Sequence, residues 1–168
     1  TDAATGRAAY FSKYDIVRDD YRAVMASCAL PGFCRPVKVG DRYYYDGGVA
    51  DSIPLHHAIE QGCTKMVVIL SNPRNFVKKP EAHRPLYKHM LHKYPKTIQS
   101  IDNRHINYQA SIDLACRLEK EGYVFIFAPS RHMPLSTFSK DAALEQDLYD
   151  LGVADYEARA EELKHFLN

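Results

Sequence analysis

The feature that most constrains the fold is an uninterrupted run of apolar residues, Met66 to Leu70, which follows Lys65. The run is too short for a buried helix and shows no apolar–polar alternation, so it indicates a strand covered on both faces in a parallel or mixed sheet. A second run with strand character, Tyr123 to Ala128, comes after a long helical pattern that ends at Gly122. Helices and strands therefore alternate along the chain, which predicts an α/β fold.

Turn and cap signals place the other elements around these strands. Gly40-Asp41 lies between two short β-type runs and predicts a hairpin whose second strand ends at Asp46. Pro54 and Gly62 bracket a short helix over 55–61. The remaining predictions are a strand over 8–11, a helix over 21–28 capped by Asp19 or Asp20, two helical segments between 86 and 122, and a helix capped by Ser139.

Charge and cysteine content narrow the possible partners. In 168 residues, 22 Lys and Arg nearly balance 21 Asp and Glu, and the net charge of +1 favours no nucleic-acid partner. The stretch 74–96 is locally basic and could hold an anionic headgroup, although a solvated helical face explains it more simply. His89 and His92 could share a helical face, but no Cys/His cluster accompanies them, so we expect no metal and no cofactor.

The best candidate for chemistry is the sequence Asp46-Gly47-Gly48 at the end of the predicted strand. Two residues without a Cβ allow the backbone to turn and to approach another group closely, which would present the carboxylate rather than bury it. Taken alone, the triplet is more simply explained as a tight turn. The preceding tyrosines, 43–45, could form a stacking platform, but packing against a core is the favoured interpretation.

The residues around this triplet resemble those of bacterial patatin-like phospholipases. The matching elements, in order, are Ala26 to Phe33, Pro36-Val37, Tyr45 to Pro54, Ala58 and Gly62. The resemblance implies part of a three-layer α/β/α fold with a mixed sheet and a helical C-terminal tail. It also implies a lipid acyl hydrolase with a Ser-Asp dyad, in which Asp46 is the general base and Gly47 and Gly48 bind substrate or shape the site.

The sequence departs from this family in one respect, because it contains no Gly-x-Ser-x-Gly motif and no Gly-rich oxyanion loop. Acyl transfer needs both a nucleophile and oxyanion donors. We therefore expect residues 1–168 to be the C-terminal portion of a single patatin-like domain, inactive without the missing part. Residues 1–72 would carry the catalytic Asp segment and the sheet, and residues 73–168 would form a mostly helical tail with one further strand.

These interpretations predict a phospholipid or another acyl ester as substrate, and no nucleic acid as partner. No segment resembles a signal peptide or a membrane span, so a cytoplasmic location is expected, with peripheral contact to a membrane surface as an option. Two other function classes stay open at this point. One is a lipid- or membrane-surface-binding module that uses the basic stretch 74–96, and the other is a small-molecule-binding α/β domain whose site lies after Leu70.

Overall fold

The computed structural model describes residues 1–134 and 141–168 and confirms an α/β fold with a helical C-terminal region. Among these residues, four strands form two small sheets, one antiparallel and one parallel. A 3-10 helix, Gly47–Val49, follows the first sheet. The helices are α1 (Arg22–Ser27), α2 (Leu55–Glu60), α3 (Arg84–Met90), α4 (Pro95–Lys120) and α5 (Ala142–Leu167), and the strands are β1 (Val37–Val39), β2 (Arg42–Tyr44), β3 (Met66–Ile69) and β4 (Val124–Phe127).

The described chain divides into two compact units. The first unit contains residues 1–54 and 78–111, and the second contains residues 55–77 and 112–168. Each unit therefore combines segments that are far apart in the sequence. The assignment of the chain to a portion of one patatin-like domain, divided near residue 72, stays a prediction.

The first unit is built on the hairpin of β1 and β2. Val37 pairs with Tyr44 and Val39 with Arg42, and Gly40 makes the turn with a φ of 58°, as its position predicted. The N-terminal segment extends this sheet, because the amino nitrogen of Thr1 donates to the carbonyl oxygen of Tyr45 and the Tyr45 N–H donates to the carbonyl oxygen of Thr1, both at 2.8 Å. A buried cluster supports the sheet and the 3-10 helix; it consists of Ala3, Tyr45, Val49, Leu91, Ile98 and Ile101.

Helix α4 fixes the N-terminal segment through its hydroxyl side chains. Thr97 is fully buried and donates from Oγ1 to the carbonyl oxygen of Ala3 at 2.8 Å. Ser100 donates to the carbonyl oxygen of Gly6 at 2.7 Å. Gly6 has a φ of 68°, and a Cβ there would lie 2.4 Å from the Lys96 carbonyl oxygen. The close approach of segment and helix therefore requires glycine at this position.

The second unit is built on the parallel pair β3 and β4, in which Met66 pairs with Val124 and Ile69 with Phe127. Both strands agree with the apolar runs that predicted them. Val124, Phe125 and Ile126 are buried, and helix α5 contacts β4. Helix α2 ends before Gly62, which has a φ of 82°, again as predicted.

Several local predictions differ from the structure. Residues 8–11 form no strand, and the residue before helix α1, Tyr21, provides no side-chain cap. Asp20 Oδ1 accepts the backbone N–H of Arg22 at 3.2 Å, as expected of a capping carboxylate, and also the Nε–H of the Arg22 side chain at 2.8 Å. Among the described residues β3 pairs only with β4, and Ile69 is 79% exposed rather than covered. Ser139 lies outside the described residues, and α5 is capped by Asp141.

Candidate functional site

Asp46 lies two residues after the end of β2 and is held by its own backbone. Its N–H donates to the carbonyl oxygen of Ala29 at 2.9 Å, and its carbonyl oxygen accepts the Thr1 hydroxyl at 2.7 Å. The neighbouring Tyr45 is buried in the core of the first unit. These bonds on both sides fix the direction in which the half-buried Asp46 side chain leaves the chain.

The Asp46 carboxylate caps the 3-10 helix that begins at Gly47. Oδ1 accepts the N–H of Gly48 at 2.7 Å, which satisfies one of the unpaired donors at the helix start. Among residues 1–134 and 141–168, no group donates to Oδ2 of Asp46 within hydrogen-bond distance. The carboxylate is thus oriented through one oxygen only.

Gly47 and Gly48 are needed for space rather than for an unusual backbone, because neither has a positive φ. A Cβ on Gly48 would lie 3.1 Å from Asp46 Oδ1 and 3.5 Å from Nη2 of Arg104. A Cβ on Gly47 would meet only the Ser27 hydroxyl, at 3.8 Å. Of the two glycines, Gly48 is therefore the one whose missing side chain makes room for the carboxylate.

Arg104 of α4 contacts this turn, and no sequence pattern predicted that contact. Its Nε donates to the carbonyl oxygen of Gly48 at 2.7 Å, and its Nη1 lies 3.0 Å from Oε1 of Glu81. Ser52 also donates to the Gly48 carbonyl oxygen, at 2.7 Å. Arg104 follows Thr97 and Ser100 on one helical face. That polar periodicity was visible in the sequence, but its partners were not.

Two of the three tyrosines before Asp46 pack as predicted, whereas Tyr43 is 47% exposed. Tyr44 and Tyr45 are buried, and the ring of Tyr45 meets that of Tyr94 edge to face at 5.8 Å between centroids. Burial raises the pKa of Tyr45 to about 12, with a smaller contribution from Tyr94. Tyr45 therefore has a packing role next to Asp46, and its hydroxyl stays protonated near neutral pH.

Ion pairs engage three of the seven Lys and Arg side chains in the basic stretch 74–96. Arg74 pairs with Glu119, Lys78 with Glu81 and Arg84 with Asp102. No group of three or more His, Cys, Asp or Glu side chains in the described part of the chain could hold a metal. No helix described is long and apolar enough to cross a membrane.

The second unit contains a separate cavity of about 410 Å³. It lies at the carboxyl ends of the parallel strands, where α/β folds commonly bind ligands, and it is lined mainly by apolar side chains. Its main polar group, Asp155, accepts the N–H of Ser130 at 2.9 Å. The apolar lining residues include Ile69, Leu70, Phe127, Leu148, Tyr156 and Leu163.

Comparisons with known proteins assign different relatives to different parts of the chain. Residues 12–59 match the family model of patatin-like phospholipases, and residues 94–168 match a domain of unknown function, DUF6363. The patatin match thus lies toward the N-terminus of this chain, and the expected extension of the resemblance over the helical tail is not supported.

One curated relative is an uncharacterised protein, YjjU, of Escherichia coli strain K12. It is 39% identical over 59 residues, which are 34% of this chain and 16% of that protein. This chain therefore matches only a small part of the relative's length. No solved structure matches. The segment that carries Asp46, Gly47 and Gly48 is similar to the patatin-like phospholipases, a family of lipid acyl hydrolases.

Proposed function

We propose that this chain supplies the general base of a Ser-Asp acyl hydrolase and that Asp46 is that base. The observation that carries the proposal is the Asp46 carboxylate, which is fixed through Oδ1 by the Gly48 N–H and accepts no hydrogen bond at Oδ2 from the described residues. The similarity of residues 12–59 to patatin-like phospholipases supports the same reaction class. The substrate would be a phospholipid or another acyl ester.

In this mechanism Asp46 accepts the proton of a serine hydroxyl as the serine oxygen attacks the ester carbonyl carbon. A free hydroxyl is a weak nucleophile, so a positioned base is needed for attack. The same proton then passes to the leaving alcohol when the tetrahedral intermediate collapses. Water repeats the sequence to release the acid, and Asp46 again holds the proton between the two steps.

The nucleophile and oxyanion donors of this reaction would come from a part of the protein outside the printed sequence. Ser27 and Ser52 lie near the turn, but neither belongs to a Gly-x-Ser-x-Gly motif. Ser52 is moreover engaged with the Gly48 carbonyl oxygen. The 168-residue chain by itself is therefore proposed to be catalytically inactive.

The test replaces Asp46 in the full-length protein and measures hydrolysis of a phospholipid and of a short-chain ester. Asp46→Asn keeps the size of the side chain but removes the base, and kcat should fall by about 100- to 10,000-fold. Asp41→Asn, in the exposed hairpin turn, is the matched control and should behave as the wild type. Full activity in the Asp46→Asn variant would disprove the assignment.

The cavity of the second unit favours a second function, the binding of an apolar small molecule. Its lining offers few hydrogen bonds, so a hydrocarbon chain suits it better than a nucleotide or a phosphate. Dodecanol should raise the Tm of the chain, because a ligand that binds only the folded state stabilises it. No change in Tm across a concentration series would contradict this function.

A matched pair of variants locates the bound probe. Gly152 lines the cavity, and a Cβ there would meet nothing within 4 Å, so Gly152→Leu would place apolar atoms in open space. Leucine also favours a helix over glycine. We expect Gly152→Leu to reduce the dodecanol-induced rise in Tm and Val153→Leu, at a neighbouring position outside the lining, to leave it unchanged.

A further inference from the structure

Gly48 is held at both of its backbone polar groups. Its N–H donates to Asp46 Oδ1 at 2.7 Å. Its carbonyl oxygen accepts hydrogen bonds from Ser52 Oγ and Arg104 Nε, both at 2.7 Å. Glycine has the least restricted backbone of all residues, so the contacts on the carbonyl side limit the backbone rotation that would turn the Gly48 N–H away from the carboxylate.

Arg104 is itself oriented by an acidic partner. Its Nη1 lies 3.0 Å from Oε1 of Glu81, and the Nζ of Lys78 lies 3.7 Å from the same oxygen. The Arg104 side chain is only 27% exposed, so its guanidinium has little freedom to leave the turn. A guanidinium can donate to the Gly48 carbonyl oxygen and to the Glu81 carboxylate at the same time, because its N–H donors point in fixed directions.

Arg104 is also the last of three donors on one face of α4. Thr97, Ser100 and Arg104 follow one another at helical spacing, and each donates to a backbone carbonyl oxygen in the first unit. Two of these carbonyls belong to the N-terminal segment that pairs with β2, and the third belongs to Gly48. The helix thus fixes both the strand that leads to Asp46 and the turn that follows it.

We propose that Arg104, oriented by Glu81, is a positioning residue for the Asp46 carboxylate. The inference rests on the proposed function, because it assigns Arg104 a role in the same proton transfer. It also assigns a role to part of the segment 94–168, which matches the domain of unknown function. Residues 94–111 lie in the first unit and complete the turn that carries the base.

The first experiment measures the turn without any catalysis. In the full-length protein, amide exchange of Gly48 is followed by NMR for Arg104→Gln, Arg104→Lys and Glu81→Gln. Removal of a charged hydrogen-bond donor should speed exchange of the Gly48 amide by about tenfold or more in Arg104→Gln. Lysine is a single point donor, so Arg104→Lys should give an intermediate rate, and Glu81→Gln should give a smaller increase.

The matched control is Arg117→Gln, which removes an exposed arginine from the same helix. It should leave Gly48 exchange as in the wild type. Thermal unfolding of each variant shows whether it still folds. If Arg104→Gln does not fold, the Gly48 exchange rate of Arg104→Lys tests the proposal instead. Gly48 exchange that is the same in Arg104→Lys, Arg104→Gln and Arg117→Gln would overturn the proposal.

The second experiment measures hydrolysis by the full-length protein. Arg104→Gln should lower kcat by about tenfold or more with little change in KM, because a displaced base impairs the chemical step rather than substrate binding. A purely structural role would leave kcat per folded molecule unchanged. Loss of activity in Asp46→Asn combined with a wild-type kcat in Arg104→Gln would overturn the positioning role alone. Full activity in Asp46→Asn would instead overturn the proposed function on which that role rests.

Discussion

At the scale of single residues, the two glycines after Asp46 have different surroundings and should respond differently to the same substitution. Gly48→Ala places a Cβ 3.1 Å from Asp46 Oδ1, so the carboxylate must move by a few tenths of an ångström. Gly47→Ala places its Cβ at an ordinary contact distance of 3.8 Å from the Ser27 hydroxyl. Because neither position has a positive φ, the comparison isolates the steric effect from backbone strain.

We expect Gly48→Ala to lower kcat of the full-length enzyme by about tenfold or more, since small displacements of a catalytic group are costly. Gly47→Ala should retain most of the activity and serves as the matched control. Steady-state kinetics on a short-chain ester is the measurement. Equal losses in the two variants would show that the site depends on backbone freedom rather than on the space beside Gly48.

The residues of this site differ in how far the sequence could predict them. Asp46 and its glycines stand in a local pattern, so a short stretch of sequence identified them as a turn that presents a carboxylate. Arg104 could not be found in that way, because it reaches Gly48 across 56 residues of sequence. Nothing in the local sequence of α4 indicates which carbonyl its side chains meet.

At the scale of elements, side chains rather than another strand of the described chain pair with the outer edge of β4 at Ile126. The backbone groups of Ile126 point away from β3, and its N–H donates to Glu119 Oε1 at 3.1 Å. Its carbonyl oxygen accepts hydrogen bonds from Arg74 Nη2 at 2.9 Å and Arg159 Nη1 at 2.6 Å. The two arginines and the glutamate thus satisfy the N–H and the C=O that Ile126 of an edge strand would otherwise leave unpaired.

This edge makes the stability of the chain sensitive to acid. The side-chain hydrogen bond from Arg74 holds the pKa of Glu119 below its ordinary value of 4.5, and the N–H of Ile126 contributes in the same direction, while burial opposes them. A carboxyl whose pKa is lowered by folding stabilises the folded state above pH 4.5. That contribution is lost as the pH falls through the lowered pKa.

We expect Glu119→Gln to reduce the free energy of unfolding at pH 7 by about 1–2 kcal/mol, after allowance for the partial exposure of the pair. As the pH falls from 4.5 through the lowered pKa of Glu119, the variant and the wild type should converge, because the wild-type carboxyl becomes neutral over that range. Urea unfolding between pH 3 and pH 7 measures both effects. Glu121→Gln, at an exposed position two residues further on, is the control, and a deficit for Glu119→Gln that is the same at every pH would contradict the explanation.

Elements whose ends are marked by glycine were predicted well, and those that depend on distant partners were not. Gly40, Gly62 and Gly122 all have a positive φ and end or turn the elements assigned to them. The predicted strand over 8–11 does not form, because the segment pairs with no strand of the described chain. The predicted cap of α1 is met in part, because Asp20 Oδ1 accepts the backbone N–H of Arg22 while its carboxylate also pairs with the Arg22 side chain.

At the scale of the whole molecule, the α/β class followed from the alternation of apolar runs and helical patterns, but the grouping of the segments did not. Residues 78–111 join residues 1–54 in one unit, and bonds such as that from Thr97 to Ala3 span 94 residues. Hydrophobic pattern determines which face of an element is buried, not which distant segment buries it. The tail was expected to continue a single family resemblance, whereas its first part completes the hairpin unit.

The side chains at the outer edge of β4 also bear on how the protein behaves in a concentrated solution. A strand edge with unpaired N–H and C=O groups can pair with a strand of a neighbouring molecule and start aggregation. At Ile126 charged side chains occupy both backbone groups of that edge. Acid that neutralises Glu119 therefore weakens this protection at the Ile126 N–H, as well as the ion pair with Arg74.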